Sequence, residues 1–202
     1  MHYSVVETFQ SIQGEGRYTG FPASFIRLAG CPNKCEFCDT NIQAAHGYNE
    51  DDLVRKVDWS LPLIVITGGE PTIYDLVPLL AALDTERRRR SVSVRFCLET
   101  SGIRPIPPTG LDYVTLSPKK GKWIPYQNFP RVSEVKWLVP MWDLSDILEA
   151  REAFSRNTIH FVQPINDMLT LNKKHVQLAT EYIMKEPWLR LSIQLQKVIG
   201  VR

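Results

Sequence analysis

Leu61-Pro-Leu-Ile-Val-Ile-Thr-Gly-Gly-Glu-Pro71 is an apolar run that ends abruptly in two glycines, a glutamate and a proline. An apolar stretch without polar alternation reads as a strand, Leu61–Thr67, buried on both faces as in a parallel sheet covered by helices. The glycines permit a sharp turn and a close approach to neighbouring backbone. Ile73–Leu83 follows with an amphipathic helical pattern. The stretch is a β-α unit with a polar turn at the carboxyl end of its strand, where parallel α/β folds place their ligands.

The same punctuation recurs in both directions. Upstream, Tyr3–Phe9 alternates weakly as a first strand, and Ser11-Ile-Gln-Gly-Glu-Gly16 reads as a turn with close backbone approach. Ala23–Leu28 is a strand that carries Arg27, an arginine either solvated on an open face or aimed at a carboxylate. Asn49 is placed to cap a short helix running to Val57. Downstream, Ser91–Leu98 alternates, with Val92, Val94, Phe96 and Leu98 on one face and Cys97 on the other beside Arg95 and Glu99. Cys97 in such a place is a small packed hydrophobe. Glu99-Thr-Ser-Gly102 ends that strand in a polar turn. Asp112–Leu116 is a strand closed by Ser117-Pro-Lys119, and Glu134–Val139 is the next. A helix over Leu144–Phe154 leads to a strand, Thr158–Val162, closed by Gln163-Pro-Ile-Asn166. A long helix, Leu171–Met184, and a last strand, Leu189–Ile193, precede the tail Gln194–Arg202. The four arginines Arg87–Arg90 read as a solvated helix end, where cations suit the helix dipole.

Strands alternating with helices or long crossovers predict an α/β protein built as a (βα) barrel. A complete eight-fold barrel takes about 250 residues. The 202 residues here predict one domain, residues 1–202, forming a partial, open barrel of about six strands. Charge is nearly balanced, with 24 basic and 22 acidic residues giving a net charge of +2, so neither nucleic acid nor an anionic membrane is an expected partner. Met1–Gln10 has no signal-peptide apolar core, and no apolar run reaches membrane-spanning length. The expected compartment is the cytoplasm, where clustered cysteines serve as metal ligands or catalysts rather than disulfides.

Three of the four cysteines lie in Gly30-Cys-Pro-Asn-Lys-Cys-Glu-Phe-Cys-Asp-Thr40, as Cys31, Cys35 and Cys38 in the spacing C-x3-C-x2-C. A structural zinc site closes on four ligands, and an ordinary four-iron cluster is held by four thiolates. Three thiolates hold three irons and leave the fourth open to a chelating amine and carboxylate. The competing reading, a non-catalytic zinc module, needs a fourth ligand such as Cys97 or a histidine. Cys97 lies about 60 residues away in a strand with no ligand-like neighbour.

Taken together, Glu7-Thr-Phe-Gln-Ser-Ile-Gln-Gly-Glu-Gly16, the cysteine loop ending Cys38-Asp39-Thr40, Thr67-Gly-Gly-Glu-Pro71, Glu99-Thr-Ser-Gly102, Ser117-Pro-Lys119, Gln163-Pro164 and the tail resemble the 7-carboxy-7-deazaguanine synthase family of radical S-adenosylmethionine (SAM) enzymes. The resemblance spans Glu7 to Arg202. It implies a radical ring contraction of 6-carboxy-5,6,7,8-tetrahydropterin to 7-carboxy-7-deazaguanine with loss of ammonia, in queuosine and 7-deazapurine biosynthesis. It implies a [4Fe-4S] cluster on Cys31, Cys35 and Cys38, with SAM regenerated each turnover. SAM contacts fall on Phe37, Cys38, Asp39, Gly69, Ser117, Pro118, Lys119, Gln163, Pro164, Ile165 and Asn166. Thr40 would ligate Mg2+, a hard cation suited to oxygen donors. Substrate contacts fall on Ile12, Gln13, Gly14, Glu15, Arg27, Thr67, Gln196 and Arg202, with Arg27 meeting the substrate carboxylate through its planar fork. A homodimer and a flavodoxin or ferredoxin electron donor are implied in the same way. The tail departs from the family, whose usual Gln-x-His-Lys with a terminal proline is here Gln194-Leu-Gln-Lys197 followed by Gly200-Val-Arg202. Gln196 donates and accepts hydrogen bonds but does not titrate as histidine does. A glycyl-radical activating enzyme would share the cluster and the Gly-Gly-Glu-Pro turn but has no need of Gln13-Gly-Glu15 or Thr40.

Overall fold

The computed structural model describes every residue except 39, 44, 122–130, 167–169 and 202. The chain opens with a hairpin: β1 (Tyr3–Ile12) pairs antiparallel with β2 (Pro22–Leu28), and β3 (His46–Tyr48) pairs antiparallel with the other edge of β1. β4 (Leu63–Gly68), β5 (Arg95–Thr100), β6 (Tyr113–Leu116), β7 (Glu134–Val139), β8 (Ile159–Pro164) and β9 (Leu189–Leu191) then add one after another beside β2, each parallel to its neighbour. The sheet runs β3-β1-β2-β4-β5-β6-β7-β8-β9, with β3 and β9 unjoined among the described residues, so it is an open barrel. The expected six strands correspond to β2 and β4–β8. The strands expected at Tyr3–Phe9 and Leu189–Ile193 are β1 and β9, and the three-residue β3, which the sequence reading did not name, brings the described total to nine.

Strand parity sorts the side chains into two layers. Ile26, Leu28, Ile64, Ile66, Phe96 and Leu98 pack outward against Leu53 of α1 (Glu50–Lys56) and Leu79, Leu80 and Leu83 of α2 (Val77–Arg90). Val135, Trp137, Val139 and Val162 pack against α3 (Leu144–Arg151) and α4 (Lys173–Lys185). The alternate residues Ala23, Phe25, Leu63, Val65, Cys97 and Tyr113 cluster on the opposite face, away from the helices. Cys97 is one of them, buried among apolar neighbours as its strand parity predicts.

Several element boundaries differ from the sequence expectation, for local reasons. Asn49 caps α1 as expected, in a reciprocal capping box with Asp52. α2 begins at Val77 rather than Ile73, because Pro71–Ile73 form a separate 3-10 turn capped by the Glu70 side chain. β5 begins at Arg95 rather than Ser91, because Ser91 ends α2 in the left-handed conformation (φ 56°). The arginines at that helix end are paired: Arg87 bridges Asp84 and Asp112, Arg88 meets Asp84, and Arg89 and Arg90 share Glu86. A short α5 (Leu195–Ile199) folds the tail back, with Leu195 N–H donating to the Gly14 carbonyl at 2.9 Å.

Candidate active site

A cavity of about 620 Å3 opens at the carboxyl ends of the parallel strands, within the size range of small-molecule sites. Its wall near the cysteine loop is shaped by the two glycines that end β4. At Gly68 (φ +145°) a Cβ would lie 2.1 Å from the Leu28 carbonyl oxygen; at Gly69 it would lie 2.1 Å from that of Gly30. The ends of β2 and β4 therefore touch backbone to backbone. Gly69 N–H donates to Leu28 O at 3.0 Å and Glu70 N–H to Gly30 O at 2.9 Å, which fixes the root of the cysteine loop.

Glu70 does not line the cavity. Fully buried, it accepts from the Thr72 amide (3.1 Å) and hydroxyl (2.7 Å), the Thr100 hydroxyl (2.6 Å) and the Ser101 amide (2.7 Å) and hydroxyl. Asn33, inside the cysteine loop, donates to the same Ser101 hydroxyl at 3.1 Å. The Gly-Gly-Glu turn is thus a clamp that ties β4, β5 and the cysteine loop into one unit.

Cys31, Cys35 and Cys38 all line the cavity, with Phe37 and Thr40 beside them. Burial pushes the Cys31 thiol up, and the charges of Glu70, Cys35 and Cys38 add to it, so the three sulfurs sense one another. Metal binding reverses such a shift, because the ligand is the thiolate. Among the described residues no three Cys, His, Asp or Glu side chains converge on a single ion. A four-iron cluster asks for less convergence, since each thiolate binds a different iron. The donor set of three uncommitted thiols on one short loop at a cavity wall fits a cluster and leaves one iron open.

Around the rim, Gly69, Ser117, Lys119, Gln163, Pro164, Ile165 and Asn166 line the cavity, from the ends of β4, β6 and β8 and the loops that follow them. Lys119 is half-buried, its pKa lowered by desolvation, and it donates to the Ser117 carbonyl at 2.7 Å. Pro118 does not line the cavity: its carbonyl accepts from Trp142 Nε1 at 2.9 Å, so it shapes the turn. Asp39 lies outside the described residues.

Gln13, Glu15, Arg27, Thr67 and Gln196 also line the cavity, whereas Ile12 and Gly14 do not. Gly14 matters through its missing side chain, because a Cβ there would fall 1.6 Å from Gln196 Oε1. That oxygen is buried and has no hydrogen-bond partner among the described residues. Arg202 lies outside the described residues. Arg27 meets a carboxylate, that of its hairpin partner Glu7, at 2.9 Å, and stacks over Phe9.

Lys136 and Glu99 are among the lining residues that sequence reasoning did not assign. Lys136 is almost fully buried and forms an ion pair with Glu15, whose other oxygen accepts from Gln194 Nε2 at 3.0 Å. Burial alone would raise the Glu15 pKa, but the Lys136 charge and the donors around it hold the carboxyl below its ordinary value. Burial would likewise lower the Lys136 pKa, yet Glu15, Glu99 and Glu134 push it above the ordinary lysine range. Glu99 accepts from Gln13 Nε2 at 2.9 Å and from the Thr67 hydroxyl at 3.1 Å. Parity held the signal for both residues: Glu134, Lys136 and Leu138 alternate with the outward Val135, Trp137 and Val139, and Glu99 shares the face of Cys97.

The sequence profile described as the Radical SAM superfamily matches residues 25–183. A 7-carboxy-7-deazaguanine synthase of Bacteroides thetaiotaomicron is 33% identical over 205 residues, covering 100% of both chains. Another from Synechocystis is 35% identical, covering 99% of this chain and 94% of the relative. The crystal structure of QueE from Escherichia coli superposes with a TM-score of 0.74 at 29% identity, over 96% of this chain and 95% of that one. No helix among the described residues is long and apolar enough to cross a membrane. Fold, clamp and cysteine loop thus agree with full-length sequence kinship, and the chain belongs to the radical SAM superfamily and, within it, to the 7-carboxy-7-deazaguanine synthase family.

Proposed function

We propose that the protein converts 6-carboxy-5,6,7,8-tetrahydropterin to 7-carboxy-7-deazaguanine and ammonia. The observation that carries this reading is a single cavity shared by the cysteine loop, the strand-end rim and a set of charged and amide side chains. Product plus ammonia equals substrate in atoms and electrons, so the reaction needs a radical initiator but no net oxidant. Family membership implies the [4Fe-4S] cluster and SAM, which when bound supply a hydrogen-abstracting radical. Cys31, Cys35 and Cys38 would hold the cluster. Phe37, Cys38, Asp39 and Gly69 would hold SAM, with Ser117, Lys119, Gln163, Pro164, Ile165 and Asn166 around the rim and Pro118 setting its turn. Thr40 would supply an oxygen to Mg2+.

On the substrate side, Arg27 would meet the carboxylate, sharing it with the position Glu7 now occupies. Gln13, Thr67, Glu15 and Gln196 would surround the rings, with Ile12 and Gly14 contributing backbone and Arg202 its terminal carboxylate. Phe9 stacked on Phe25, with centroids 4.8 Å apart, gives the cavity an apolar wall that keeps water from a radical intermediate. A homodimer and a flavodoxin or ferredoxin donor complete the proposal. The test is anaerobic: protein reconstituted with iron and sulfide receives SAM, Mg2+, a reductant and the tetrahydropterin. A new species lighter than the substrate by the mass of ammonia is expected. Reductive SAM cleavage that leaves the pterin unchanged would move the substrate elsewhere.

A further inference from the structure

We infer that Ser192 is a positioning residue whose hydroxyl joins the rim proposed for SAM to the turn proposed for the pterin, so that each ligand tightens the binding of the other. The inference rests on the function proposed above, which assigns those two ligands to the cavity. Ser192 is 3% exposed and does not itself line the cavity. Leu191 on β9 lies beside Val162 on β8, and the Ser192 N–H donates to the Val162 carbonyl at 3.0 Å. One step further along the pair, Ser192 sits beside Gln163, on the face turned away from Val162 and its helices.

Hydrogen-bond polarity makes this contact directional. The Ser192 hydroxyl oxygen accepts the Gly16 N–H at 3.1 Å. A backbone N–H only donates, so the hydroxyl proton goes to Gln163 Oε1, 2.7 Å away. With its oxygen taken, the Gln163 amide presents its NH2 group, which donates to the Glu15 carboxylate. Glu15 directly precedes Gly16, so the path closes on itself: Gly16 to Ser192, Ser192 to Gln163, Gln163 to Glu15, and Glu15 to Gly16 through their peptide bond. Hydrogen bonds linked head to tail strengthen one another, so the ring acts as a unit.

The ring spans both sides of the cavity. Gln163 lines it with the rim residues, whereas Glu15 lines it with Gln13, whose Oε1 accepts the Glu15 N–H at 3.2 Å. A ligand that orders Gln163 therefore orders the Gln13–Gly16 turn as well, and a coupling of this kind is reciprocal. The turn has a second anchor that does not involve Ser192. Arg17 N–H donates to Glu134 Oε2 at 3.0 Å, and a Cβ on Gly16 (φ +67°) would fall 2.0 Å from Glu134 Oε1. Glu134 thus keeps the turn in place in a Ser192→Ala protein while the link to Gln163 is cut.

The test uses the reconstituted enzyme under anaerobic conditions, with pterin-6-carboxylate as a stable probe. SAM affinity is measured with and without saturating probe, and probe affinity with and without SAM. In the wild type each ligand is expected to tighten the other by one and the same factor, about tenfold. Ser192→Ala is expected to bring that factor to about two or below, with iron content and the affinity for SAM alone little changed. Ser192→Thr, which keeps the hydroxyl, is expected to retain the coupling. A Ser192→Ala protein that keeps the wild-type factor, or that binds each ligand more weakly with the factor unchanged, overturns the inference. Wild-type protein that binds the two ligands independently also overturns it, and leaves the proposed function standing. Wild-type protein that binds neither ligand overturns both.

Discussion

Removing the Lys136 ammonium should cost more than any other single truncation in the cavity. Its side chain is 5% exposed and that of Glu15 is 14% exposed, so Lys136→Met strands a carboxylate away from water. Breaking a buried pair by deleting one partner costs about 3–5 kcal/mol. With a urea slope of about 2 kcal/mol/M, the unfolding midpoint should fall by about 2 M. Adding Glu15→Gln should recover most of the loss, because the stranded charge is then gone. The pH dependence has a definite sign. Glu15 is depressed below 4.5, so its contribution is present above that pH and is lost as pH falls through the folded value. Lys136 is raised above 10.5, so its contribution is present below that pH and is lost as pH rises through the folded value. The pair is therefore fully effective between those limits. In Lys136→Met the charge that chiefly opposes burial is gone and only neutral donors remain, so the Glu15 pKa rises and the deficit should shrink from pH 8 to pH 5. A deficit below about 1 kcal/mol at pH 7, or a double variant as weak as the sum of two large losses, would refute the reasoning.

Gly69→Ala should displace the cysteine loop, since its Cβ meets Gly30 O at 2.1 Å and Cys31 Cβ at 2.9 Å. Iron and sulfide per chain after reconstitution should fall to less than half of wild type, and full loading would contradict the close-contact account. His160 is held neutral, its pKa pushed down to about 4 by burial and then by Arg151, while its Nδ1 accepts from Trp137 Nε1 at 3.1 Å. Stability should be steady above pH 6.5 and fall by about 3 kcal/mol as pH drops toward 4. Comparing urea midpoints of wild type and His160→Gln at pH 7 and 4.5 isolates that slope, and parallel slopes would count against it. Thr40→Ala should abolish the response of turnover to Mg2+ while the visible spectrum of the cluster persists; a bleached cluster would assign Thr40 to the metal loop instead.

The run from Leu61 to Pro71 was readable because each of its signals is local. A continuous apolar strand admits few environments, and glycines at its end imply a close approach that the contacts with Leu28 and Gly30 supply. Cys97 and the outward faces of β5 followed from alternation alone. Other features depend on partners distant in sequence. Arg27 finds Glu7 only once the β1–β2 register is known. The clamp made by Glu70 was not readable because it needs Thr100 and Ser101 beside it, roughly a strand and a helix later in the chain. Ser91 interrupts an alternating pattern through a left-handed cap that periodicity does not record. Lys136 and Glu99 carried the right parity, but a polar residue inside a barrel is distinguished from one at a strand end only by its burial.

The claim that this cavity runs a redox-neutral ring contraction is tested most directly by counting product against SAM consumed. Anaerobic turnover with limiting SAM should yield many molecules of 7-carboxy-7-deazaguanine per SAM, an equal amount of ammonia, and little 5'-deoxyadenosine. SAM consumed to 5'-deoxyadenosine without that product, or a colourless protein carrying zinc in place of iron, would contradict the account.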